Sequence, residues 1–255
     1  MPVIKENIYG HLKRLEWIIS QITHTDTIVE FGCGTGSMIS LPLTKAGYSV
    51  YGLDMDKNSI AFGRELFQKE GFDPENLKLL DLSELDLNPD VIIASEVLEH
   101  LHSKDLVKTL CMIREKLNTG GSLLVTIPNG YGWFEMESYF WFKIGIGKIL
   151  QDLKIVGMIN KLKCLLFGRD IETLFPSTLS NSSHQQRFTY HSIMRLLEDN
   201  GFEVVESEGS VLFAGPFSNL FFTGIRPMMK INCTLGYWFP RFASGFYFSC
   251  RVKKS

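Results

Sequence analysis

The chain has 255 residues, 45% of them apolar and 21% charged, and its 26 lysines and arginines against 28 acids leave a formal net charge of −2. That composition belongs to a globular chain with a sizeable core, and the near-balance of charge excludes a general pull toward nucleic acid or an anionic surface, so any such attraction must be local. The five cysteines (Cys33, Cys111, Cys164, Cys233 and Cys250) are scattered and odd in number, which argues against a disulfide framework or a zinc site and fits a reducing, cytoplasmic setting.

The opening stretch MPVIKENIYGHLKRLEWII lacks a basic segment followed by an uninterrupted apolar one, so no secretory signal is expected. No continuous uncharged apolar run reaches about 18 residues, so no spanning helix is expected either. Residues 6–21 carry Ile8, Leu12, Leu15, Ile18 and Ile19 at helical spacing and read as an amphipathic first helix. Strands follow at Thr27–Phe31, Ser49–Asp54, Leu77–Leu80, Val91–Ser95 and Ser122–Ile127, with helices near Ser37–Lys45, Lys57–Glu70 and Lys104–Leu117 between them. This alternation predicts right-handed βαβ units and a buried parallel sheet. From Tyr131 the pattern breaks into a long insertion (131–183), then returns with a helix at Tyr190–Asn200 and a strand from Phe202. A second aromatic-rich insertion (214–244) precedes the closing strand GFYFSCRVK. The whole chain reads as a single domain carrying two insertions.

The first strand runs into a loop, VEFGCGTGS, with Gly32, Gly34 and Gly36 in five positions. Glycine tolerates left-handed backbone and lets a ligand approach closely, and in an open parallel sheet the first strand–helix turn is the usual ligand contact. The spacing is G-x-G-x-G, with Ser37 where a dinucleotide fingerprint would place its third small residue, and Glu30 precedes it. A carboxylate there suits a cationic or hydroxyl-bearing ligand better than a diphosphate. That disfavours a nicotinamide-dependent oxidoreductase. Asp54, ending the second strand about 20 residues on, is placed to accept both hydroxyls of a ribose. Asp81, after the third strand, could take a hydrogen bond from an adenine amino group.

Together VEFGCGTGS, VYGLDMD, LLDLSEL, DVIIASEVLEHL and GGSLLVTIPN resemble the successive motifs of class I S-adenosylmethionine-dependent methyltransferases, over roughly Leu15–Gly130 and again at Arg187–Ser210. The resemblance implies a Rossmann-like α/β fold with a seven-stranded sheet, helices on both faces and two lid insertions. It also implies S-adenosyl-L-methionine as cofactor, with Gly32, Gly34 and Gly36 under its methionine part, Asp54 at the ribose and Asp81 at the adenine. Glu30 and Ser95 join this cofactor set by position.

Methyl transfer to a hydroxyl needs alignment and removal of a proton. In ASEVLEHL, Glu96, Glu99 and His100 fall at i, i+3 and i+4 and would share one face of a helix. They are the catalytic candidates, with His184 of SSHQQRFTYHS as a fourth; His11, His102 and His191 read as ordinary surface residues. The E-x-x-E-H pattern also resembles the divalent-metal site of methyltransferases acting on small-RNA 3′ ends and on polyprenyl catechols, which would imply Mg²⁺ or Mn²⁺ with His184 as a further ligand, although its distance to Phe188 departs from both subgroups. The metal ligands therefore stay open.

Both insertions should emerge over the cofactor edge and are strongly aromatic, either as the lid's own core or as walls of an acceptor pocket. Residues 142–169 carry six basic residues and only Asp152 as an acid, with apolar positions at near-helical intervals. They predict a basic amphipathic helix suited to the inner face of a membrane. IPNGYGWFE and PRFASGFYFSC are similar to segments of methyltransferases from bacterial cell-surface polysaccharide pathways, implying a small-molecule, glycan or lipid-linked acceptor. Nucleic acid is disfavoured, because no basic stripe spans the cofactor side. A cofactor-binding module without chemistry is the non-enzymatic alternative.

Overall fold

The computed structural model describes residues 8–167, 185–223 and 225–253. Its frame is a seven-stranded sheet in the order β3-β2-β1-β4-β5-β7-β6. The strands are β1 (Thr27–Phe31), β2 (Ser49–Asp54), β3 (Leu77–Leu79), β4 (Val91–Ser95), β5 (Ser122–Pro128), β6 (Phe202–Gly209) and β7 (Gly245–Val252). Helices α1 (His11–Ser20), α2 (Ser40–Lys45), α3 (Lys57–Lys69), α4 (Ser103–Lys116) and α8 (Tyr190–Asp199) cover the sheet. The insertion after β5 folds as α5 (Trp133–Ser138), a π-helical turn at Tyr139–Lys143, α6 (Ile146–Asp152) and α7 (Ile155–Phe167). The insertion before β7 folds as α9 (Pro216–Phe222) and α10 (Arg226–Trp238).

The apolar runs of the central strands alternate between two cores, because successive side chains of a strand point to opposite faces. Val29, Ile92, Leu123 and Val125 face one side and pack with Leu106, Leu110 and Ile113 of α4 and Ile193 and Leu197 of α8. Ile28, Ile93 and Leu124 face the other and pack with Leu15 and Ile18 of α1 and Leu43 of α2. Each such fully buried side chain contributes roughly 1.5–3 kcal/mol relative to exposure, so a strand apolar on both faces can only sit inside a covered sheet.

Five strands are parallel, as the alternation predicts, but β7 runs antiparallel to both β5 and β6 and sits between them. The parallel part of the sheet is thus the part that the alternation predicted, and β7 makes the whole a mixed seven-stranded sheet. Strand order reverses at β1, which pairs with β2 on one side and β4 on the other, opening a crevice at the carboxyl ends of β1 and β4. The single basic helix expected over 142–169 is two helices, broken at Lys154, whose φ of 58° is left-handed.

Candidate active site

The glycine loop leaves β1 with three left-handed residues in alternation, Gly32 (φ 70°), Gly34 (φ 55°) and Gly36 (φ 65°). Their surroundings differ. A Cβ on Gly32 would lie 2.6 Å from Val97 Cγ2, and one on Gly36 2.9 Å from Leu77 Cδ2, so both are held by close packing. A Cβ on Gly34 would meet nothing within 4 Å. Gly34 is thus the loop residue whose face is open toward a ligand.

Asp54, at the tip of β2, grips this loop. Its Oδ2 accepts from the Gly34 amide at 2.7 Å and its Oδ1 from the Asp56 amide at 2.8 Å. An ionised carboxylate has about four lone-pair sites, so each oxygen retains one for a further donor such as a ribose hydroxyl. Asp81 caps the short helical turn Leu82–Glu84; its Oδ1 accepts from the Ser83 amide (2.9 Å) and hydroxyl (2.6 Å). These bonds, the hydroxyl's foremost, hold its carboxyl below the usual range, so it is ionised at neutral pH with Oδ2 outside the cap.

Glu30, expected among the cofactor-contacting groups, is placed beneath the loop. It is buried, and its Oε2 accepts from both the amide (2.9 Å) and the hydroxyl of Ser40. This explains why α2 begins at Ser40 rather than at Ser37: the first amide of the helix is satisfied by a carboxylate from β1. Burial pushes the Glu30 carboxyl up to about 7, against the opposing effect of the Ser40 bonds.

At the end of β4, Ser95 Oγ and Thr126 Oγ1 of β5 are 2.8 Å apart. Glu96 follows with φ 56°, its amide bonded to the Thr126 carbonyl. A left-handed non-glycine residue is uncommon and costs of order 1–3 kcal/mol, and such strain gathers at functional sites. The expected α-helical face of Glu96, Glu99 and His100 is corrected here: the left-handed residue interrupts the run, and only a 3-10 turn forms at Leu98–His100. Glu99 still lies near each of the other two. Glu99 is buried, with Oε2 lacking any hydrogen-bond partner and Oε1 3.9 Å from His100 Nε2. Burial, and then the neighbouring Glu96 charge, raise the Glu99 carboxyl far above its ordinary range. It is a neutral acid at pH 7 and cannot serve there as a base. Its backbone carbonyl accepts from the amides of Gln185 (2.8 Å) and Gln186 (2.9 Å), tying the turn to the segment before α8. His184 lies outside the described residues. Among the described residues no three His, Cys, Asp or Glu side chains gather as a metal centre, so the E-x-x-E-H pattern does not by itself make one.

Two groups that the sequence did not single out close this side. From α1, Arg14 Nη1 reaches Glu96 Oε1 at 3.4 Å, while its Nη2 donates to His11 Nδ1 at 2.8 Å. Since the guanidinium can only donate, Nδ1 of His11 is unprotonated and the ring hydrogen sits on Nε2. Burial, with Arg14 beside it, lowers the imidazole to about 3. His11 is therefore a partly buried neutral donor rather than the surface residue expected, whereas His102 and His191 are exposed as expected. The only hint of this in the sequence was the i, i+3 spacing of His11 and Arg14.

The insertions meet over this edge. Glu137 of α5 is buried and accepts from the amide of Ser218 at 2.8 Å and from its hydroxyl. Trp133 lies edge-on to Phe213 and Trp141 to Phe217, each 4.9 Å between centroids. Part of the aromatic content is thus lid core, while Tyr131, Tyr139, Tyr237 and Trp238 remain exposed. Tyr9 joins the N-terminal side to this lid, 6.0 Å from His11 and 6.4 Å from Phe134.

An open Gly34 face, a carboxylate at the tip of β2 with spare lone pairs and an ionised Asp81 after β3 fit a cofactor built of an amino acid, a ribose and an adenine. Comparison with known proteins agrees. Residues 12–207 match the family model described as "Methyltransferase domain". Among curated proteins, the chain is 24% identical over 120 residues to sphingolipid C9-methyltransferase 1 of Gibberella zeae (46% of this chain, 23% of that one). It is 27% identical over 135 residues to ribosomal protein L11 methyltransferase of Shewanella baltica (49% and 44%). It is 30% identical over 111 residues to the mitochondrial ubiquinone biosynthesis O-methyltransferase of Rattus norvegicus (40% and 30%). The matches span less than half the length of these relatives. Among solved structures, the glycopeptide N-methyltransferase MtfA superposes with a TM-score of 0.57 at 13% identity, covering 97% of this chain and 93% of that one. The magnesium protoporphyrin IX methyltransferase of Synechocystis PCC 6803, with S-adenosylhomocysteine bound, superposes with a TM-score of 0.54 at 16% identity, covering 96% and 82%. The chain belongs to this methyltransferase-domain family, and it shares the fold of class I methyltransferases.

Proposed function

We propose that the protein O-methylates a glycan or quinol-like acceptor, either a small molecule or one carried on a lipid, on the cytoplasmic side of a membrane. The observation that carries this reading is the aromatic lid clipped together by Glu137 and Ser218 beside the carboxyl end of β4. Sugars and quinols both present flat or apolar faces with ring hydroxyls, and aromatic walls suit them. The ubiquinone-pathway relative, an O-methyltransferase by name, lends support. The named acceptors of the relatives differ from one another, so similarity alone selects none of them.

When bound, S-adenosylmethionine supplies an electrophilic methyl group on a sulfonium sulfur. The protein's share is alignment and proton removal. Gly32, Gly34 and Gly36 hold the methionine part, with Glu30 supporting the loop from below and Ser95 bordering it. Asp54 holds the ribose and Asp81 the adenine. Glu96, fixed by Arg14 and Thr126, orients the acceptor side. His100 takes the hydroxyl proton, with the neutral Glu99 beside it as a positioning group; His184 is the alternative base.

The test is transfer from methyl-labelled S-adenosylmethionine into fractionated cell extract. Label in glycan or lipid is expected and should disappear with His100→Ala and His184→Ala together. Label confined to protein or RNA overturns the acceptor class. Full activity in excess chelator removes Mg²⁺ or Mn²⁺ from the scheme, whereas loss restored by either ion places a metal beside Glu99 and His100.

A further inference from the structure

The first insertion turns the usual polarity of a surface helix inside out. On a helix covering a core, the outward positions are polar. On α7 the outward positions Met158, Leu162 and Leu165 follow one another at i, i+4 and i+7, and Leu162 is 53% and Leu165 82% exposed. The opposite side, with Val156 and Ile159, is half-buried, and Lys163 Nζ anchors it by donating to the Thr223 carbonyl after α9 at 3.1 Å. The apolar surface continues along the insertion through Leu153 (64% exposed) to Phe142 (73%). Isolated exposed apolar side chains need no explanation, but a contiguous set on one insertion marks an interaction surface.

Its charge says with what. Residues 139–167 hold five lysines and one acid, Asp152, and Lys143, Lys148, Lys154 and Lys161 are exposed among the apolar side chains. Lys161 lies within the outward stripe of α7, flanked by Met158 and Leu162. Long lysine stems can lie along apolar surface while their ammonium groups reach a polar boundary. A second copy of this chain would bring lysines against lysines. An interface with negative headgroups above hydrocarbon satisfies both the apolar stripe and the ammonium groups, without a spanning helix; among the described residues none is long and apolar enough to cross.

We propose that the outward face of α6 and α7 docks onto an anionic lipid bilayer. The lid of the active site is then the part of the molecule nearest the membrane. This inference is independent of the acceptor, because docking involves no methyl transfer.

The experiment is flotation of the full chain with phosphatidylcholine vesicles, with and without phosphatidylglycerol. Binding is expected only with phosphatidylglycerol and should weaken as salt rises. Replacing Lys148, Lys154 and Lys161 together by Gln should lower the affinity by about fivefold per lysine, on the order of 100-fold in all. Leu162→Ser with Leu165→Ser should abolish binding at unchanged charge. Both the lysine and the leucine variant alter only exposed side chains, and calorimetric titration with S-adenosylmethionine verifies that they are folded. Failure of the intact chain to float, or flotation indifferent to phosphatidylglycerol and to the lysines, overturns the proposal. So does concentration-dependent self-association, suppressed by the leucine pair, in a chain that does not float. Transfer of label to a glycan can succeed or fail without altering any of these readings.

Discussion

Replacing Glu30 by Gln separates two roles that one carboxylate could play, direct contact with the cofactor and support of the loop that holds it. Glu30 is fully buried and its carboxyl is raised to about 7 from an ordinary value of 4.5. Between those values the unfolded chain has lost the proton while the folded chain keeps it, so stability falls as pH rises from about 4.5 to 7 and is level above. One pKa unit corresponds to about 1.4 kcal/mol, so the loss across the window is ~3 kcal/mol. Gln cannot ionise, and its carbonyl oxygen can still accept from the Ser40 amide and hydroxyl. Urea unfolding of both proteins at several pH values is the assay, and the difference between them is the readout. His11, lowered to about 3, contributes the opposite slope over its own window, gaining stability as pH rises toward 6.5; taking the difference cancels it. The Gln variant should gain on the wild type steadily from pH 4.5 to 7, and its affinity for S-adenosylmethionine should stay within a few-fold. Parallel stability profiles would refute the burial argument, and a tenfold or greater loss of affinity would show that Glu30 touches the cofactor itself.

Further outcomes follow from the same geometry. Gly34→Ala forces a side chain into left-handed backbone at about 1–2 kcal/mol but meets no protein atom, so calorimetry should show cofactor affinity falling more than stability; Gly32→Ala adds a clash with Val97 and should lose more in thermal unfolding. Asp54→Asn puts an amide donor where two backbone amides need acceptors, and, with Asp54 at the ribose as proposed, S-adenosylmethionine should bind about tenfold or more weakly, read by titration. Glu137→Ala leaves the Ser218 amide unpaired at a cost of about 1–3 kcal/mol, and hydrogen exchange should quicken in 133–138 and 216–222 while the sheet stays protected. His100→Ala should lower turnover by roughly 10²–10⁴-fold with cofactor affinity unchanged.

What was legible in the sequence is what depends on near neighbours. Paired apolar residues such as Ile28–Val29 and Ile92–Ile93 announce strands covered on both faces, and all five early strands begin and end within a residue of the positions expected. The spacing from the glycine loop announced a carboxylate at the end of β2, but not the bond it makes to the Gly34 amide. The insertion of β7 between β5 and β6 was not legible, because it is specified by pairings such as Thr126 with Tyr247, whose partners lie far apart in the chain. The turn at Glu96 was misread for a different reason. An i, i+3, i+4 pattern fits an α-helix and a 3-10 turn equally, and the left-handed φ that decides between them is imposed by the bond from the Glu96 amide to Thr126 on the next strand.

The same distinction explains why α1 was underrated. Its apolar face, Leu15 and Ile18, was plain and accounts for its packing on the sheet, which made its polar side look like solvated surface. In the fold that polar side is occupied. Lys13 Nζ donates to the carbonyls of Gly209 and Ser210 at the end of β6 and of Cys233 in α10, and pairs with Glu208 at 2.9 Å. One residue further on, Arg14 reaches Glu96 at the end of β4. Consecutive side chains of one helix therefore hold the second insertion and the strained strand end at Glu96. A side chain with several buried carbonyl partners resists displacement far more than a surface ion pair does. Any shift of α1 must move the second insertion and Glu96 together. The helix that the sequence presents as a cover for the sheet is, by this geometry, the element that joins the second insertion to the end of β4.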